Sequence, residues 1–168
     1  MAANIEEHLG ARRAEPLVIL DIGSQNPYTN GLTYRALAAP AWKYIGADIV
    51  AGNNVDLVMP APFTIPLADK YADAVISGQC LEHCSNPFKL VAEAARVLKL
   101  GGVVILTAPA IWPQHMVDYF RFLPEGMRAL LTEAGLTCVS AYLGGRTDTP
   151  QEDPKWGLDC WGIGIKDA

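Results

Sequence analysis

Side chains able to do chemistry fall at a few places in the 168 residues, each beside a short apolar run. Asp21 and Gly23 follow Leu17-Val18-Ile19-Leu20, and Asp48 closes Tyr44-Ile45-Gly46-Ala47. Gln79, Cys80, Glu82 and His83 follow Val75-Ile76-Ser77, while His115, Asp118, Tyr119 and Arg121 come after Val103 to Thr107. Gly23 suits a tight turn against a ligand, because glycine adopts positive φ freely and has no Cβ to hold the ligand away. Cys80, Cys84 and His83 lie close together, but no second cysteine pair completes a tetrahedral set. No metal is therefore expected.

The apolar runs read as buried parallel strands, which are covered on both faces and so show no alternation. Strands are predicted at 17–22, 44–49, 55–59, 73–77, 103–107, 137–143 and 160–166. Pro87 to Leu98 is amphipathic: Leu90, Val91, Ala94, Val97 and Leu98 share one face, with Lys89, Glu93 and Arg96 between them. Lys99 and Gly101-Gly102 are predicted to stop that helix. Thr33 to Ala39 suits a short helix ahead of Pro40, and Pro124 opens another whose inner face is Met127, Leu130, Leu131 and Ala134. Residues 4–13 are predicted to form one or two helical turns, with Asn4 as N-cap and with Ile5 and Leu9 packed inward.

Strands alternating with helices imply an α/β domain over 1–168, with 1–16 as a short amino-terminal helical segment. The expected architecture is doubly wound and Rossmann-like, a seven-stranded mostly parallel sheet with helices on both faces. Ligands bind such sheets beyond the carboxyl ends of the strands, where the strand order switches. The chemistry-bearing positions named above all follow strand ends.

Composition narrows the partner. With 51% hydrophobic and 18% charged residues the chain has a core to bury and is not disordered. A formal charge of −5 offers no basic face to nucleic acid. No apolar run reaches the ~20 residues that span a membrane, and the opening MAANIEEHLGARRAEP is too polar for a signal peptide. Four cysteines fit no disulfide framework at this length, which points to reduced thiols and a cytoplasmic protein. A small molecule is the expected partner.

Taken in order, the motifs resemble a class I S-adenosylmethionine-dependent methyltransferase of the type-11 group. They are LDIG at Leu20 to Gly23, YIGADI at Tyr44 to Ile49, VDLV at Val55 to Val58, IPLADKYADAVIS at Ile65 to Ser77, CLEH at Cys80 to His83 and RVLKLGG at Arg96 to Gly102. His115 to Gly135 is similar to a subgroup with H-x-x-D-Y-x-R ahead of a helix, and the whole resemblance covers about residues 17–140.

The resemblance implies S-adenosylmethionine as cofactor. Gly23 and Ser24 would lie at its amino-acid carboxylate, with Asp21 ordering the loop or reaching the amine. Asp48 would accept from the ribose hydroxyls, with Ile49 beside it. Ala61 and Phe63 would lie around adenine, and Gln79 and Cys80 along the methionine portion. The chain departs from the family at Gly23-Ser24-Gln25 in place of G-x-G, at Asn26-Pro27 where another glycine is common, and at Pro60 in place of an acid. These departures weaken the expected cofactor affinity.

Trp112, Asp118, Tyr119 and Arg121 are expected to contact the acceptor or close over it; the alternative is a polar loop latched by an Arg121–Asp118 ion pair. His115 is the first candidate base and His83 the second, with a satisfied, partly buried histidine as the other reading of His83. The expected activity is direct methyl transfer to a small-molecule acceptor, a sugar or specialised metabolite. The alternative is a noncatalytic domain that binds a ligand or partner. The acceptor pocket would draw on the amino-terminal segment, the Trp112–Arg121 region and the 144–157 loop, leaving an open site or one completed by a second subunit of a homo-oligomer.

Overall fold

In the computed structural model the described residues are 1–26, 33–115, 117–145 and 157–167. Seven strands form one sheet: β1 (Val18–Ile22), β2 (Lys43–Asp48), β3 (Leu57–Val58), β4 (Ala72–Gly78), β5 (Leu98–Ile111), β6 (Thr137–Gly145) and β7 (Leu158–Ile165). Their order is β3-β2-β1-β4-β5-β7-β6. The pairs from β3 through β5 are parallel, and β7 runs antiparallel to both its neighbours. The mostly parallel sheet read from the sequence is the one observed.

Helices cover both faces. On one side α1 (Ala2–Leu9) packs Ile5 and Leu9 against Ile19, Ile76 and Ile105. On the other, α2 (Pro87–Val97) and α3 (Pro124–Glu133) pack Leu90, Val91, Met127 and Leu131 against Leu20, Val75 and Val104. Each large aliphatic side chain buried in this way contributes roughly 1.5–3 kcal/mol. Ala74, Val75 and Ile76 on β4 and Val104, Ile105 and Leu106 on β5 are all buried, as strands covered on both faces require.

Three local expectations are corrected by tertiary contacts. Asn4 does not cap α1, which begins at Ala2; its buried amide instead exchanges hydrogen bonds of 3.0 and 3.1 Å with the Tyr142 hydroxyl on β6. The Thr33–Ala39 segment forms only a 3-10 turn, Tyr34–Leu37. Finally, α2 stops at Val97 without a glycine, because β5 begins at once with Leu98 and pairs with Ala72. Gly101 lies inside β5 at φ +73°, where the strand bulges away from β4 before Val103 rejoins Ala74.

The start of α2 is capped locally and its end from a distance. The Asn86 side chain accepts from the Lys89 amide at 3.1 Å, with Pro87 in the first turn. Lys99 turns away to Asp73 at 2.8 Å. Lys166, at the end of β7, reaches the terminal carbonyls of the helix and donates to Ala95 O at 2.6 Å and Leu98 O at 2.9 Å. A cation on those carbonyls satisfies orphan acceptors and complements the helix dipole. Lys166→Met is expected to lower unfolding free energy by about 1–2 kcal/mol in urea titrations; an unchanged midpoint would show that water replaces the ammonium at no cost.

Candidate functional site

The chain leaves β1 for β2 on one side and later returns to β4 on the other, so the strand order switches between β1 and β4. In sheets of this kind ligands bind beyond the carboxyl ends of the strands at that switch. Gly23, directly after β1, has φ +78°, and a Cβ there would lie 2.5 Å from both Cβ and Sγ of Cys80 in the loop after β4. Glycine is thus required twice, by its conformation and by the close meeting of the two loops. Gln79 also takes a left-handed conformation, at φ +55°. Its amide donates to Thr107 O at 2.9 Å, and its side chain reaches across to Asp159 on β7 at 3.0 Å.

The loop after β1 is held by carboxylates. Asp48, at the end of β2, accepts from the Gln25 amide on Oδ2 and from the Val50 amide on Oδ1, both at 3.1 Å. It is half-buried, and each oxygen retains a second lone pair for a further donor. Ile49, the next residue, exposes 53% of its surface. Asp21 points inward: it is 2% exposed and hydrogen-bonded by the Tyr44 hydroxyl. Burial outweighs that bond and raises its pKa to about 7.

The network continues through residues that sequence reasoning missed. Asn54 donates to the Tyr44 hydroxyl at 3.3 Å and to Ser24 O at 2.9 Å, while Ser24 Oγ donates to Asn54 O at 3.1 Å. Arg35 lies over the Tyr44 ring at 4.4 Å and donates to Asn54 Oδ1 at 2.9 Å and to Asp56 at 2.5 Å. Only the turn signal Asn53-Asn54 hinted at this, and not at its long-range partners. Among the adenine candidates, Ala61 is exposed and bridges Thr64, whereas Phe63 packs partly against the core. Pro27 and most of the 144–157 loop, including Trp156, lie outside the described residues.

A second cluster stands beyond β4 and β5. His83 ends a 3-10 turn, Leu81–His83, and its Nδ1 is 2.9 Å from Val117 O and 3.1 Å from Asp118 Oδ1. His115 Nδ1 is 3.2 Å from Asp118 Oδ2. Arg121 donates to Asp118 Oδ2 at 2.6 Å and to the carbonyls of Trp112, Phe120 and Pro113 at 2.9–3.1 Å. It holds its own loop with most of its donors. A cleft of about 330 Å³ is lined by Trp112, Gln114, Asp118, Tyr119, Phe120 and Arg121. The sequence-predicted acceptor residues therefore do converge.

Beneath this cluster Glu82 is 0% exposed, and neither of its oxygens has a hydrogen-bond partner among the described residues. Burial raises its pKa to about 7. The Cys80 thiol is half-buried beside Cys84, whose Sγ donates to Cys80 O at 3.4 Å. Contact with Cys84 and desolvation hold it well above the ordinary thiol range, so it is a neutral wall.

Residues 20–106 match a family model described as "Methyltransferase domain". No curated protein sequence matches the chain. Among solved structures, the chain is similar to Burkholderia thailandensis 1,6-didemethyltoxoflavin-N1-methyltransferase, whose structure holds 1,6-didemethyltoxoflavin and S-adenosylhomocysteine. The TM-score is 0.70 at 18% identity, covering 99% of this chain and 76% of that one. A SAM-dependent methyltransferase from Methanosarcina mazei gives TM-score 0.64 at 16% identity, covering 91% and 93% of the two chains. The [4+2]-cyclase SpnF gives 0.67 at 17% identity, covering 96% and 81%. At these identities the likeness is one of fold.

Two tests follow from the site's geometry. Gly23→Ala is expected to destabilise the chain by about 1–3 kcal/mol, since it adds both left-handed strain and a clash with Cys80; a neutral change in urea midpoint would refute the close contact. Asp21 and Glu82 each hold a proton to about pH 7 in the folded chain, against ~4 when unfolded. Between those values the folded chain binds more protons, so stability falls as pH rises from about 4 to about 7 and levels off above. Glu82→Gln should lose less melting temperature between pH 5 and pH 8 than the unmodified chain; an equal loss would contradict a buried, protonated Glu82.

Proposed function

The chain belongs to the methyltransferase-domain family, and from that premise we propose that it is an S-adenosylmethionine-dependent methyltransferase acting on a small-molecule acceptor. The observation that carries this reading is the switch point between β1 and β4, where Gly23 meets the loop after β4 and Asp48 stands at the end of β2. When bound, the cofactor supplies an electrophilic methyl group on a sulfonium.

The residues fit such a ligand. Gly23 keeps the turn after β1 free of a side chain, with its own amide and that of Ser24 donating to Ala47 O at 2.9 and 3.1 Å. Asp48 has spare acceptor capacity for two ribose hydroxyls, and exposed Ile49 offers apolar surface beside it. Asp21 is turned into the Tyr44–Asn54 network, so it orders the loop rather than meeting the ligand directly. Gln79 and Cys80 form the facing wall, with Cys80 neutral.

Methyl transfer by direct displacement asks the protein mainly for alignment, and proximity can supply much of the rate. The cleft at Trp112 and Tyr119 would hold the acceptor. An acceptor hydroxyl also needs its proton removed. His115, half-exposed with Asp118 beside its Nδ1, is the first candidate base. His83, which shares Asp118 but is tied to Val117 O, is the second. Arg121 and Asp118 keep the loop in place.

A noncatalytic ligand-binding domain is the second reading. It is favoured by Ser24-Gln25 and Pro60, which replace cofactor-contacting types, and by the two backbone amides that already occupy Asp48. Calorimetric titration with S-adenosylmethionine and S-adenosylhomocysteine separates the two. Binding in the micromolar range supports the methyltransferase, and silence to millimolar concentration would eliminate it. Asp48→Ala is expected to weaken binding about tenfold to a hundredfold, the worth of charge-assisted hydrogen bonds; unchanged affinity would remove the ribose assignment.

A further inference from the structure

His83, in the turn after β4, lies 32 and 35 positions before His115 and Asp118 in the loop after β5, yet each of the three brings one ligating atom to within 4.8 Å of the others. Two separations are direct: 3.1 Å from His83 Nδ1 to Asp118 Oδ1 and 3.2 Å from His115 Nδ1 to Asp118 Oδ2. A tetrahedral ion with bonds of about 2.0–2.2 Å sets its ligand atoms about 3.3–3.6 Å apart, a few tenths of an ångström beyond these separations. The spacing is close to what one needs.

Two buried groups beside the cluster point the same way. The Asp118 side chain is only 1% exposed, yet among the described residues its Oδ1 accepts no hydrogen bond, and it faces His83. Glu82 is equally enclosed and has no hydrogen-bond partner among the described residues, with Oε1 3.8 Å from the far ring nitrogen of His83. Buried carboxylates in folded chains normally have partners. We propose that His83, His115 and Asp118 form a site for a divalent first-row cation of the zinc type, with Glu82 as the outer carboxylate behind His83. A cation on His83 Nδ1 takes the place of the contact with Val117 O at 2.9 Å and fixes the ring proton on Nε2, facing Glu82, which is the carboxylate–histidine–metal arrangement of many metal sites. It also supplies a partner for Asp118 Oδ1.

The donor set selects the ion. Two imidazoles and one carboxylate favour zinc and neighbouring transition metals over calcium or magnesium, which take oxygen ligands. Three protein ligands leave a coordination position open, and Asp118 lines the cleft beside it. Arg121, 2.6 Å from Asp118 Oδ2, opposes the positive charge but leaves Oδ1 free. With a cation bound, the two histidines are ligands and no longer bases. A hydroxyl on the open position would lose its proton more readily; that consequence rests on the methyl-transfer reading, whereas the binding does not.

The test uses the full chain stripped with a chelator and titrated with Zn²⁺ by calorimetry and with Co²⁺ by visible absorption. One ion per chain with micromolar or tighter affinity is expected, with cobalt d–d bands and no thiolate charge-transfer band. His115→Ala and Asp118→Asn should each weaken binding at least tenfold, while a Cys80→Ser/Cys84→Ser pair should leave it unchanged. His115 is half-exposed, so its variant keeps the test valid even if Asp118→Asn loosens the loop. No saturable binding below millimolar metal, binding indifferent to His115→Ala, or a thiolate band lost in the cysteine variant would each overturn the site. Parallel titration with S-adenosylmethionine reports on the methyl-transfer reading separately.

Discussion

Two loops that leave neighbouring strands in the same direction must pass in contact, and the candidate site depends on that meeting. The loop after β1 turns at Gly23 with no room for a Cβ against Cys80, in the loop after β4. Because β1 and β4 are parallel neighbours at the switch in strand order, both loops rise from the same edge of the sheet. Ser24 is buried on Asn54, and the Gln25 backbone is held by Asp48 at the end of β2.

Buried carboxyl groups recur along this edge. Asp21 has Tyr44, Asp48 has two amides, and Asp118 has Arg121 and the His115 amide. Their surroundings differ in consequence. Asp21 and Glu82 are driven toward the protonated form by burial. Asp118 resists that pull because a guanidinium and a backbone amide both donate to it, and its pKa falls below the ordinary value. One edge of one sheet therefore carries carboxyl groups in opposite charge preferences, a few residues apart in space. The anionic member is the one beside the histidines.

The loop after β1 and the His83–Asp118 cluster are joined through a short chain segment rather than through a helix. Cys80 faces the β1 loop, and three residues later His83 faces Asp118. The Tyr119 amide donates to Glu82 O at 2.7 Å, which fixes the loop after β5 to the same turn. A displacement of the Gln79–His83 turn would be felt on both sides.

Much of the fold was legible because burial on both faces leaves a simple trace. Seven apolar runs marked seven strands, and the spacing of Leu90, Val91, Ala94 and Val97 marked α2. The strand-end positions of Asp21, Asp48, His83 and His115 also followed from sequence, since strand polarity decides which ends share an edge. What sequence could not supply were partners set by register and packing. Asn4 looked like a cap until Tyr142 came across from β6, and Lys99 looked like the cationic end of α2 until Lys166 took that place. Tyr44, Asn54 and Arg35 had no visible link to one another in the chain, and became a network only when β2 lay beside β1. His83 and His115 were separate candidates in the chain. The side-by-side pairing of β4 and β5 brought them to one carboxylate, because local pattern specifies an element whereas only the assembled sheet specifies its neighbours.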